Sequence, residues 1–130
     1  MKPLVIGYLK WEKMVRDLTG LEYSPKVDNT YELFPMEKTL PKWFLKTRPY
    51  ETDSDDCDDR SKYGYCEIHN KNKRVPIVLV RGRVIGFGQH EFLIVGGLVH
   101  GVLMARYCHR LEDHFEWISS TKVTKVDSLW

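Results

Sequence analysis

The chain has 130 residues, 42% of them hydrophobic and 12% aromatic, enough to bury the core of one domain and to exclude disorder throughout. Its formal net charge of +2 is too small to point to nucleic acid or a membrane surface by itself. Its best apolar region, Phe92 to Ala105, is interrupted by Gly96, Gly97, His100 and Gly101, so no stretch approaches the roughly 18 apolar residues of a membrane span.

At the start of the chain, Leu4-Val5-Ile6 is an apolar run of three residues before Gly7, too short for the core of an export signal. The three cysteines, Cys57, Cys66 and Cys108, are odd in number. Reduced thiols and a cytoplasmic setting, in its own cell or a host's, are the expectation. Between Leu9 and Leu18, the residues Trp11, Met14, Val15 and Leu18 recur at helical spacing, which predicts an amphipathic helix stopped by Gly20 and laid on a sheet.

From Tyr23 to Pro49 the pattern weakens, cut by Pro25, Pro35, Pro41 and Pro49, and only Thr39 to Lys46 can hold a short helix with Pro41 in its first turn. Then the charge reverses. Glu51 to Asp59 carries six acids and no base, and Arg60 to Arg83 carries seven bases against the single acid Glu67. Charges this dense repel one another and resist burial, so a charged surface loop is expected at about 51–74.

The last third reads as an antiparallel meander. Val75–Val80 and Arg83–Phe87 flank Arg81-Gly82, Glu91–Val95 and Leu98–Tyr107 flank Gly96-Gly97, and His114–Ile118 and Lys122–Val126 flank Ser119–Thr121. Glycine at positive φ makes Gly96-Gly97 a good hairpin signal. Nearly continuous apolar runs in the central strands imply burial on both faces. Residues 110–118 fit either a strand or a helix. The expected fold is α+β in a single domain, 1–130: an N-terminal amphipathic helix packed on a four-to-six-stranded antiparallel sheet or small barrel.

Four constellations bear on chemistry. Cys57, Cys66 and His69, with Cys108 or His109 as a fourth group, are zinc-type ligands, but their spacing lacks the paired pattern of structural zinc sites. Asp53, Asp55 and Asp58 offer oxygens to calcium, yet Asp58 stands where an EF-hand loop has glycine and Gly64 where it has glutamate. His90, His100, His109 and His114, near Glu91, Glu112 and Glu116, are the residue types of a metal-independent ribonuclease, in which one imidazole removes a proton and another supplies one. Lys71, Lys73, Arg74, Arg81 and Arg83, with Tyr63, Tyr65 and Phe87, are the types a single-strand-binding module uses for phosphates and stacked bases.

No nucleophile elbow, phosphate loop, dinucleotide fingerprint or zinc-protease motif occurs in the sequence. The leading expectation is a non-enzymatic, cofactor-free protein that acts through contact with another protein, as an adaptor or inhibitor. Asp53, Asp55, Asp56, Asp58 and Asp59 would steer that partner electrostatically; a viral or phage protein blocking a host factor fits the description. Single-stranded nucleic-acid binding by segment 60–83 is the alternative, and histidine-based ribonuclease chemistry the second.

Overall fold

The structure, a computed structural model, describes residues 2–24, 30–43, 57–111 and 114–130. The chain opens on strand β1 (Leu4–Gly7), which pairs antiparallel with β2 (Thr30–Leu33). Between them runs helix α1 (Tyr8–Thr19), closed by Gly20 at φ 73° with its N–H on the Arg16 carbonyl. Helix α2 spans Met36–Trp43 and α3 spans Cys57–Lys71. A five-stranded antiparallel sheet follows: β3 (Ile77–Val84), β4 (Gly88–Val99), β5 (Val102–Arg110), β6 (Phe115–Ile118) and β7 (Val123–Leu129), in the order β6-β5-β4-β3-β7. Among the described residues no helix is long and apolar enough to cross a membrane.

Strand alternation divides the core in two. Phe92 and Ile94 of β4 join Val78, Val80, Val84, Tyr107 and Ile118 under Trp11 and Val15 of α1. The intervening Leu93 and Val95 face the other way, with Ile77, Cys108, Met36 and Ile68. Both faces are therefore covered, which is why the central strands read as unbroken apolar runs.

The connection from β6 to β7 is Ser119 followed by a 3-10 turn, Ser120–Lys122. Laid flat, the outer strands of five would stand about 19 Å apart at ~4.8 Å per step. Four residues, three of them in a turn rising about 2 Å each, fall well short of that. The sheet must curl, and all five strands contribute to the face under α1. It does not close, because β6 and β7 share no pairing.

Several expectations are corrected. Residues 57–71 are not loop but helix α3. Its buried face is made of Ser61, Gly64, Glu67 and Ile68, so hydrophobic periodicity is nearly absent. Gly64 is needed for close approach: a Cβ there would stand 3.1–3.2 Å from Arg110, Phe115 and Leu93. The short helix starts three residues earlier than Thr39, at Met36.

The turns are also displaced. β3 continues through Arg81-Gly82, where a Cβ at Gly82 would strike the Lys125 carbonyl of β7. The chain turns instead at Ile85–Phe87, with the Phe87 N–H on the Val84 carbonyl at 3.0 Å. β4 runs through Gly96-Gly97 because Trp11 and Pro76 press on the first and Met36 on the second. The tight turn between β4 and β5 is His100-Gly101, at φ 50° and 76°, as a two-residue turn with positive φ at both positions requires. Ser119–Thr121 joins no hairpin, since β7 pairs with β3. Residues Phe115–Ile118 are strand.

Candidate nucleic-acid interface

Of the acidic residues expected to meet a partner, Asp53, Asp55 and Asp56 lie outside the described residues. Asp58 and Asp59 are the second and third residues of α3, and His69 and Lys71 stand in its last turn. Acids at the start and bases at the end of a helix complement its macrodipole.

The zinc-type ligands do not converge. Cys57 and Cys66 stand nine positions apart on α3, about 13 Å along its axis. Cys66 is exposed and Cys108 is buried on the opposite face of the sheet from α1. Burial pushes the Cys108 thiol up to about 12, so it stays protonated and packs as an apolar group. Among the described residues no three His, Cys, Asp or Glu side chains are placed to hold a metal ion.

The histidines are only partly assembled. His90 Nε2 and His109 Nδ1 lie 3.3 Å apart, with Phe87 packed on both rings at 4.9 Å. Two imidazoles in direct contact leave no space for a scissile phosphate between them. His100 is at the β4–β5 turn, its backbone N–H on Glu37, and His114 faces Glu116 at 3.5 Å. Glu112 is outside the described residues.

His109 is 2% exposed, and its burial holds the imidazole below its ordinary value of 6.5. The unfolded chain then takes up a proton that the folded one resists. His109 should contribute full stability above pH 6.5 and lose it as the pH falls through its lower, folded value. Thermal unfolding from pH 8 to 5 should show a flatter decline in His109→Gln than in the native protein; parallel declines would contradict this.

The basic set separates into two groups. Arg83 and Phe87 sit at the β3–β4 turn end of the sheet. Arg81 faces Glu91 at 3.4 Å and lies 5.2 Å over the Trp130 ring. Lys71 is exposed at the end of α3. Lys73 and Arg74, on the turn that follows, line a cleft of about 480 Å³.

The cleft is assembled from distant parts of the chain. Tyr65 and His69, i and i+4 on α3, stack at 5.8 Å with 24° between their planes. Tyr23 follows α1, Thr30 and Tyr31 belong to β2, Val75 and Ile77 lead into β3, and Trp130 follows β7. Three hydrogen bonds fasten the basic turn to β2: Glu32 N–H to the Arg74 carbonyl at 2.9 Å, Arg74 Nη1 to Thr30 Oγ1 at 3.2 Å, and Asn72 Nδ2 to Glu32 Oε1 at 3.4 Å.

Burial, reinforced by neighbouring Tyr31, pushes the Tyr23 hydroxyl up to about 12, and burial also raises Tyr31. Both phenols remain protonated donors. The neighbouring Trp11 indole partly offsets the rise at Tyr23. No Asp or Glu side chain lines the cleft among the described residues. Such a site offers π faces, hydrogen-bond donors and positive charge together.

Tyr65, Lys73 and Arg74 belong to the set read from the sequence; Tyr23, Tyr31, His69 and Trp130 are added by the fold. Trp130 is 65 residues from Tyr65 in the chain, a separation beyond the reach of any local pattern. In comparisons with known proteins, no family model, no curated protein and no solved structure matches this chain.

Proposed function

We propose that this protein binds single-stranded nucleic acid through the cleft between α3, β2 and the end of β7. The observation that carries this reading is one cavity holding Lys73 and Arg74 beside Tyr23, Tyr31, Tyr65 and Trp130, with no lining carboxylate side chain among the described residues. Phosphates are attracted by the cations, and a base without a pairing partner exposes the π face that aromatic rings stack against. Duplex DNA or RNA hides those faces, so unpaired strands are the better ligand. Contact with a protein partner through the acidic segment, most of which lies outside the described residues, is the second reading.

Binding measured by the anisotropy of a labelled single-stranded oligonucleotide should weaken as salt rises, by about 0.7 log units per log unit of salt for each phosphate neutralised. In Lys73→Gln/Arg74→Gln that slope should fall by about 1.4. An unchanged slope would remove these two residues from the interface, and the proposed site with them.

A further inference from the structure

We infer that the cleft holds a single nucleotide, and that free nucleoside monophosphates are ligands in their own right; this rests on the nucleic-acid reading above. A strand-tracking surface is an extended groove, typically covering about 4–16 nucleotides per module. Here the aromatic groups are gathered instead into one cavity of about 480 Å³, within the ~300–1,000 Å³ typical of small-molecule sites.

Phe87 and Trp117 do not line it. Phe87 packs on His90 and His109, and Arg106 covers Trp117 at 4.5 Å.

The cavity is also polarised. Val75 and Ile77 are buried and supply an apolar lining next to the Tyr65–His69 stack. Lys73 and Arg74 are exposed and consecutive on the turn that borders it. A nucleotide has the same polarity, with a flat apolar base at one end and a phosphate at the other. The hydroxyls of Tyr23, Tyr31 and Thr30 add hydrogen-bond donors toward its ring nitrogens, carbonyls and phosphate oxygens.

The test is displacement of a labelled single-stranded oligonucleotide from the native protein by AMP, adenosine, inorganic phosphate and a phosphotyrosine peptide. AMP should compete fully, and adenosine at least tenfold less well for want of the phosphate. Inorganic phosphate should be weaker still for want of a ring to stack. If the oligonucleotide binds but saturating AMP leaves it in place, the single-nucleotide inference falls while the single-strand reading stands. If neither binds, both fall. Displacement by the phosphotyrosine peptide and not by AMP would overturn the inference in favour of a phosphoprotein ligand.

Discussion

Arg110→Met should lower the free energy of unfolding by about 3–5 kcal/mol, the cost of leaving one partner of a buried ion pair without the other. Arg110, at the end of β5, donates through Nε to Glu67 of α3, and through Nη1 to the Leu111 carbonyl at 3.2 Å. Both ionic side chains are nearly sealed from water, at 4% and 6% exposure. Methionine matches the length of the arginine stem but leaves the Glu67 carboxylate facing an apolar neighbour. The double variant Glu67→Gln/Arg110→Met also removes the buried carboxylate and should recover part of the loss. Urea unfolding followed by circular dichroism measures both. A loss below about 1 kcal/mol would be that of a solvent-exposed pair and would contradict the sealed seam beneath α3.

The same seam explains how α3 is held. One aliphatic side chain, Ile68, is fully buried from this helix, whereas Ser61 donates to the Glu91 carbonyl at 2.7 Å and Glu67 meets Arg110. Tyr65 and His69, on the same helix, line the cleft.

Tyr65→Ala should weaken single-strand binding by about 1–3 kcal/mol, the usual cost of removing one aromatic stacking partner. Tyr65 carries no charge, so the salt dependence of binding should stay that of the native protein. Lys73→Gln/Arg74→Gln should do the reverse, with a reduced slope as its distinguishing mark. Anisotropy titrations at three salt concentrations separate the two effects. Native affinity in Tyr65→Ala, or a slope reduced as in the charge variant, would contradict a stacking role for this ring.

The α+β class and the antiparallel sheet were legible because they rest on apolar residues in regular patterns. Phe92 to Val95 is such a run, and its alternate side chains feed both halves of the core. Helix α3 was not legible, because its packed face carries Ser61, Gly64 and Glu67 where a periodicity search looks for leucine and valine. Its acidic beginning and basic end were visible, but as a charge reversal rather than as the mark of a helix. The hairpins were misplaced for a related reason. Gly82, Gly96 and Gly97 serve close approach of Lys125, Trp11, Pro76 and Met36, whereas local pattern reads glycine as a turn.

The candidate site was half legible. Lys73, Arg74 and Tyr65 lie within ten residues of one another and carry the right chemistry together. Arg81 belongs to the same basic run, yet it faces Glu91 and covers Trp130, so it acts as support for an aromatic ring. Tyr23, Tyr31 and Trp130 join the cleft only when β2 pairs with β1 and β7 returns to β3.

The most direct measurement is a titration of labelled single-stranded RNA and DNA of mixed sequence with the native protein, alongside a duplex of equal length, at low and at physiological salt. The account predicts saturable binding of a single strand, weaker binding of the duplex, and affinity that falls as salt rises. No binding of either single strand at low salt, or a preference for the duplex, would contradict it.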